Sequence, residues 1–203
     1  NYKMKKPKKR ILLFAIIVSF LTLLLSTFFL SEYLARQNAP KKITDIINKL
    51  NLIDHNGVSV TSQSFKNQPS LIFFGFTHCP EVCPTTLTTL DTILQDLDNR
   101  IIQTNIVFIT LDPERDTQIH LKEYINYFSK NIMAITGSIK DIKKLSKNWG
   151  IFYEKISTDK EEYTLNHTAS VFMIDKQGNF KGTIAWGENE QSIIQKIIKL
   201  STY

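Results

Sequence analysis

The sequence predicts an α/β domain preceded by one membrane-spanning helix. Near its start, the chain has twenty consecutive uncharged residues, 11–30. Further on, residues 71–75 form a continuous apolar run, residues 105–111 are mostly apolar, and a helical pattern follows each of them. Such runs are typical of central strands covered on both faces, and their alternation with helices is typical of an α/β domain.

The apolar run 11–30 contains no charge, glycine or proline. As a helix it would span roughly 30 Å, the thickness of a bilayer core. The first ten residues carry six basic and no acidic side chains, so we expect the N-terminus in the cytoplasm and the remainder translocated. A cleaved signal peptide is the alternative, but its apolar region is usually about 7–15 residues long and ends at a small-x-small site. We therefore predict an uncleaved anchor.

The formal net charge of the chain, +6, is carried entirely by its first ten residues. The chain has 25 basic and 19 acidic residues, and subtracting the six basic residues of the tail leaves 19 of each. A neutral body gives no reason to expect a nucleic-acid partner. A translocated body lies in an oxidising compartment, where paired cysteines tend to form disulfides.

Hydrophobic periodicity and turn residues define the elements of the body. The predicted elements are a hairpin at 52–60 with Asn56-Gly57 at its turn, a strand at 71–75, a helix from Pro84 to about Leu97, a strand at 105–111, a helix at 116–129, a strand at 132–136, a helix at 139–149 stopped by Gly150, strands at 170–174 and 180–184, and a helix at 188–200. A βαβ half followed by a ββα half, with two cysteines after the first central strand, predicts a thioredoxin-like sandwich with an N-terminal hairpin.

Cys79 and Cys83 are the two cysteines of the chain, spaced C-x-x-x-C between a predicted strand and a predicted helix. If Pro84 is the first helical residue, Cys83 is the N-cap, and its sulfur faces free backbone N–H groups that favour the thiolate. Cys79 can then fold back over the same helix end, so both sulfurs could converge on one atom. A structural disulfide is the alternative, although so short a loop removes little chain entropy.

Two thiolates and one imidazole form a site that favours Cu(I), whereas zinc usually takes four ligands. We expect His55 and His120 at the surface, and His78 as a neighbour that tunes Cys79 rather than as a ligand. His167 lies in a polar loop before a predicted strand, where thioredoxins carry a cis-proline, and this chain has no proline after Pro113. Spacing alone leaves a solvated loop histidine as the alternative for His167.

The chain resembles the SCO/SenC copper chaperones of cytochrome c oxidase assembly over nearly its whole length. The resemblance rests on FGFTHCPEVCP at 74–84, FITLDPERDT at 108–117, LKEY at 121–124 and Thr136-Gly137. It implies one copper ion bound by Cys79, Cys83 and His167. It also implies delivery of copper to the dinuclear copper centre of oxidase subunit II, with a periplasmic copper donor or thiol reductant as a further partner.

One departure from the family concerns the loop of His167. The family usually has Asp-His-Ser there, and this chain has Asn166-His167-Thr168. Losing the aspartate removes a charge beside the histidine, so copper affinity or the protonation of His167 is expected to differ.

A thiol–disulfide oxidoreductase is the alternative function, with Cys79 as the nucleophile and Cys83 as the resolving thiol that together reduce the cysteines of the recipient. Asp112 and Asp116 follow a strand on the edge that bears the cysteines. We interpret Asp112 as part of an Asp-Pro turn and Asp116 as a helix cap, with an acidic surface for a partner or an adjustment of the site's charge as the alternative.

The expected organisation is a cytoplasmic basic tail (1–10), a transmembrane anchor (11–30), a polar tether (31–48) and a thioredoxin-like copper-binding domain (49–203). Because the N-terminal region lacks an Arg- and Ser-rich presequence, we expect a bacterial inner membrane, with the domain in the periplasm, rather than a mitochondrial one.

Overall fold

A computed structural model describes residues 6–38, 42–97, 103–128, 132–158 and 162–203. The chain divides into two compact units, 1–39 and 40–203. Residues 1–5 of the expected basic tail, 39–41 of the expected tether and Ser129 at the end of one predicted helix lie outside the described residues.

The first unit contains the helix α1 (Lys6–Asn38). Its stretch Ile11–Tyr33 is long and apolar enough to cross a membrane, judged by length and composition. Hydroxyl groups within this stretch donate to backbone carbonyls three residues earlier, as Thr22 does to Ser19 and Ser26 to Leu23, so their polarity is satisfied inside the helix. The helix continues past residue 30, into the segment expected to be the polar tether.

The second unit contains five α-helices and eight strands among the residues that the structure describes. These elements are α2 (Ile43–Ile47), β1 (Leu52–Asp54), β2 (Ser70–Gly75), α3 (Val82–Asp96), β3 (Asn105–Thr110), α4 (Gln118–Ile125), β4 (Ile132–Gly137), α5 (Ile139–Asn148), β5 (Tyr153–Ser157), β6 (Tyr163–His167), β7 (Ser170–Ile174), β8 (Phe180–Ala185) and α6 (Glu190–Ser201).

Six of the strands form one mixed sheet in the order β1-β4-β3-β2-β7-β8. The strands β2, β3 and β4 are parallel, whereas β1, β7 and β8 run antiparallel to their neighbours. Every residue of β2 is buried, which requires cover on both faces of the sheet. This arrangement confirms the α/β, thioredoxin-like prediction, and it places the end of β2 at the centre of one sheet edge.

The N-terminal hairpin spans the predicted residues 52–60, since the N–H of Val60 donates to the carbonyl of Leu52 and the N–H of Asp54 donates to that of Val58. β1 also pairs with β4, and the return arm of the hairpin forms an isolated β-bridge with it between Ser59 and Ile53. Gly57 provides the turn with a φ of +81°, a conformation that glycine adopts without strain. The predicted hairpin is therefore present, and β4 joins its first arm to the six-stranded sheet.

The folded unit begins earlier than the expected boundary at residue 49. In α2, the side chains of Ile43, Ile46 and Ile47 are buried in the core. Their spacing places them on one face of a helical turn, so this segment packs as a helix instead of linking two units. A second difference is the two-stranded sheet of β5 and β6, which the sequence pattern did not predict.

Candidate metal centre

The two cysteines lie where the chain leaves β2 and enters α3. Glu81 is the N-cap of α3 and Val82 its first residue, so Cys83 is the second helical residue rather than the cap. Pro84 is therefore third in the helix, not first as expected from the sequence. A proline is tolerated throughout the first turn because the N–H groups there have no intrahelical partner.

Because the helix begins two residues earlier than predicted, Cys79 takes the place that the sequence analysis gave to Cys83, facing the free N–H groups of the helix. The backbone N–H of Cys83 donates to Sγ of Cys79, 3.4 Å away, so Cys79 is the sulfur that occupies the free helix end. A hydrogen bond from the Cys83 thiol is the largest cause that lowers the pKa of Cys79, to about 4. The same hydrogen bond and burial raise the pKa of Cys83. The metal-free site thus holds one thiolate and one buried thiol.

His167 is the last residue of β6 and pairs with Tyr153 of β5. Its Nδ1 lies 3.0 Å from the carbonyl oxygen of Thr168. Because a carbonyl only accepts, the ring proton is on Nδ1, and Nε2 keeps a free lone pair. That Nε2 lies 3.8 Å from Sγ of Cys83. The ring is held between Phe73 and Phe76, whose centroids are 6.2 and 5.8 Å from its own.

The three side chains predicted to bind a metal therefore come together. Sγ of Cys79, Sγ of Cys83 and a ring nitrogen of His167 all lie within 4.8 Å of one another. Cys83 is buried and Cys79 is partly exposed, so the group is open on one side. Two sulfurs and one imidazole nitrogen are a soft ligand set, which suits Cu(I) better than a hard cation.

Asp116 anchors the loop that carries the cysteines. Its side chain is fully buried, and it accepts hydrogen bonds from the N–H and hydroxyl of Thr77, at 3.0 and 2.5 Å, and from the hydroxyl of Thr110, at 2.6 Å. The helix α4 is instead capped by Thr117, whose hydroxyl accepts from the N–H of His120 at 3.2 Å. The interpretation of Asp116 as a helix cap was therefore wrong, because its neighbour along the chain performs that role.

Asp112 forms the expected turn, since its carbonyl accepts from the N–H groups of Arg115 and Asp116. Its carboxylate is buried and accepts from the Arg115 guanidinium and from the hydroxyl of Tyr163, 2.7 Å away. Arg115 also stacks on the Tyr163 ring at 3.7 Å. These contacts fasten β6, the strand that ends in His167, to the loop after β3. Because both carboxylate oxygens of Asp112 are buried and hydrogen-bonded, this residue does not present an acidic surface to a partner.

The other three histidines and Asn166 lie outside the group formed by Cys79, Cys83 and His167. His55 is half-buried and accepts from the N–H of Ala134 at 3.2 Å. His78 and His120 lie together, with ring centroids 5.4 Å apart. Asn166 is exposed and bonds the carboxylate of Glu154 across the β5–β6 pair, on the opposite face of the strand from His167.

The chain belongs to the SCO1/SenC family, whose family model matches residues 38–202. An SCO2-like protein of Rickettsia felis is 39% identical over 131 residues, which cover 64% of this chain and 64% of that protein. The chain thus spans less than two thirds of the length of that relative.

Solved structures agree with this assignment. The copper-bound ScoI of Bradyrhizobium japonicum is 32% identical, with a TM-score of 0.68, and the match covers 74% of this chain and 96% of that one. BsSco, described as a member of the Sco family of cytochrome c oxidase assembly proteins, has a TM-score of 0.59 over 74% of this chain and 90% of its own. At 23% identity, BsSco supports the fold alone.

Proposed function

We propose that this chain is a membrane-anchored copper chaperone that carries one Cu(I) ion on Cys79, Cys83 and His167. The convergence of these three ligand atoms within 4.8 Å is the observation that supports it most strongly. The copper bound in the related ScoI supports the choice of cargo. The free lone pair of Nε2 supports His167 as a neutral ligand, since its proton is engaged by the carbonyl of Thr168.

Copper loading at this site is coupled to the loss of one proton. In the metal-free state the Cys83 thiol donates to the Cys79 thiolate, and a Cu(I) ion takes the place of that shared proton. Two thiolates, one neutral imidazole and Cu⁺ carry a net charge of −1. The site holds three protein ligands and is open at Cys79, so an incoming ligand from a recipient can bind before one of the three departs.

The proposed recipient is subunit II of cytochrome c oxidase, at its dinuclear copper centre. Its support is membership of the SCO1/SenC family, together with the motifs by which the sequence resembles the copper chaperones of cytochrome c oxidase assembly. We place the basic tail (1–10) in the cytoplasm, the anchor (11–30) in a bacterial inner membrane and the copper-binding domain in the periplasm. The support for this placement is the apolar stretch Ile11–Tyr33 behind a basic tail.

A thiol–disulfide reductase is the second candidate, and the asymmetry of the two cysteines favours it. The lowered pKa of Cys79, at about 4, makes it the thiolate nucleophile, and the buried Cys83 thiol is placed to resolve the mixed disulfide. In this reaction the two thiols are oxidised to a Cys79–Cys83 disulfide while a disulfide in the recipient is reduced to two thiols. His167 is not needed for that electron balance.

The two functions are separated by one transfer experiment. The full-length chain in detergent, loaded with Cu(I) under anaerobic conditions, is mixed with the metal-free soluble domain of subunit II. Copper content and free thiols of the recipient are then measured. The chaperone function predicts copper transfer that is lost with His167→Ala. Reduction of an oxidised recipient by the metal-free protein, unchanged by His167→Ala, together with no copper transfer, would instead establish the reductase.

A further inference from the structure

A second group of metal-ligating side chains lies beside the first. His78 is on the loop that carries the cysteines, Asp116 precedes α4, and His120 is in the first turn of α4. One potential ligand atom from each lies within 4.8 Å of the other two. These residues are named the His–Asp cluster below.

The hydroxyl of Thr77 connects the three members of the His–Asp cluster. Its oxygen lies 2.9 Å from Nε2 of His120, 3.1 Å from Nδ1 of His78 and 2.5 Å from an oxygen of Asp116. A hydroxyl has one proton, which goes to the carboxylate, and two lone pairs, which accept from the two rings. Both ring nitrogens therefore point at one place, and in the other neutral tautomer each would present a lone pair there.

The charge of Asp116 has little compensation within the protein. Its closest partners are uncharged donors, the N–H and hydroxyl of Thr77 and the hydroxyl of Thr110. Among the described residues, the ion-pair partner of Asp116 within 4.0 Å is His78, whose Nδ1 lies 3.9 Å from the carboxylate. A buried carboxylate is normally paired with a cation or coordinated to a metal, and burial raises the pKa of Asp116 as expected for an uncompensated charge.

The dimensions of the His–Asp cluster suit a small cation. The 3.9 Å between the His78 nitrogen and the Asp116 oxygen is within the reach of two metal–ligand bonds of about 2.1 Å each. The side chains of His78 and His120 are 46% and 41% exposed, so both rings can turn toward an ion from solvent. Asp116 is held in place by Thr110, which leaves the oxygen facing Thr77 to bind the ion when that hydroxyl turns aside.

We propose that His78, His120 and Asp116 bind one divalent transition-metal cation, separately from the cysteine–histidine group. Two imidazoles and a carboxylate are harder ligands than thiolates and suit Cu(II) and Zn(II). Among divalent first-row cations, Cu(II) binds such ligands most tightly. Beside the cysteine–histidine group, the chain then has a nitrogen–oxygen site for a divalent ion. This inference is independent of the proposed function.

The test removes the soft site first. Full-length, tag-free protein in detergent carries Cys79→Ser, Cys83→Ser and His167→Ala, and is titrated with Cu(II) while the electron paramagnetic resonance spectrum is recorded. The expected result is one bound Cu(II) per chain with hyperfine splitting from two nitrogens. Failure to bind one equivalent would overturn the proposal, whatever the Cu(I) affinity of the wild-type chain.

Point variants in the same background identify the ligands. His120→Ala and His78→Ala are each expected to weaken Cu(II) binding about tenfold or more and to remove one nitrogen from the spectrum. His55→Ala, a histidine outside the cluster, is expected to change neither. Binding that is indifferent to both His78 and His120 would overturn the proposal. If the background protein does not fold, the same variants are compared in the wild-type chain oxidised to its Cys79–Cys83 disulfide, with the same criteria.

Discussion

Nε2 of His167 lies 3.8 Å from Sγ of Cys83, although 84 residues separate the two in the chain. The sulfur is positioned by the start of α3, and the imidazole by the end of β6. Neither element carries all three of the proposed ligands, so these come together only when the sheet and the β5–β6 pair are both folded. The proposed function therefore links copper binding to the free energy of folding.

The pH dependence of alkylation tests the arrangement of the sulfurs. Because the pKa of Cys79 is lowered to about 4, its thiolate is fully formed at neutral pH and is lost as the pH falls through that value. In reduced, metal-free protein, the rate of Cys79 alkylation by iodoacetamide is expected to be constant between about pH 6 and pH 8 and to fall with a midpoint near 4. Cys83→Ala removes the donor and should raise the midpoint. A wild-type midpoint near 9.0, the ordinary value, would refute the arrangement.

Gly75→Ala tests whether the close approach of the Gly75 backbone to the Cys83 side chain is needed for copper binding. A Cβ at this position would lie 2.8 Å from Sγ of Cys83 and 2.8 Å from the ring of Phe108. We expect a loss of about 1–3 kcal/mol in the free energy of unfolding, measured with urea, and weaker Cu(I) binding. Gly187→Ala is the control, since no atom lies within 4 Å of its added Cβ. Its φ of +75° makes that change destabilising, but copper affinity should be retained. Equal copper affinity in both variants would contradict this account.

Tyr163→Phe tests the fastening of β6 to the loop after β3. The variant keeps the ring under Arg115 but removes the hydroxyl that donates to the buried carboxylate of Asp112. A hydrogen bond to a charged group is worth about 1.5–3 kcal/mol, so we expect a loss of that size in urea unfolding. Tyr127→Phe, at a residue 87% exposed, should change stability by less than about 0.5 kcal/mol. Indistinguishable stabilities of the two variants would show that the contact is not stabilising.

Asn166→Asp restores the residue that the family usually has before the histidine. Asn166 is exposed and faces Glu154, away from the metal site, so the added charge should change Cu(I) affinity less than about threefold. Asn51→Asp, at another exposed asparagine, provides the matched charge change. A tenfold or larger effect of Asn166→Asp, absent from the control, would show that this side chain acts on His167 directly.

Local patterns were sufficient to predict most of the second unit. The apolar runs that became β2 and β3 are buried on both faces. A short apolar run of this kind is typical of a central strand, so its sequence was enough to predict it. The two cysteines could likewise be placed between a strand and a helix. By contrast, β5 and β6 have mostly exposed or partly exposed side chains, so no strong apolar alternation marked them as strands.

The exact starts of α3 and α4 could not be predicted, because more than one neighbouring residue is suited to each position. Asp116 and Thr117 are both good helix caps, and only tertiary burial of Asp116 decides for Thr117. Similarly, Pro84 is compatible with several positions in the first turn, so the sequence could not fix Cys83 as the second helical residue. The helical spacing of Ile43, Ile46 and Ile47 was a usable signal for α2 within the expected tether.

The most direct measurement is an anaerobic titration of the reduced full-length chain with Cu(I) against a competing chelator. Wild-type protein is compared with His167→Ala and with His55→Ala, a partly buried histidine remote in sequence from the cysteines. The account predicts one Cu(I) per chain, bound at least about tenfold more weakly by His167→Ala and equally well by His55→Ala. Cu(I) binding that is absent, or that does not depend on His167, would contradict the three-ligand site and leave the thiol–disulfide reaction as the better account of this chain.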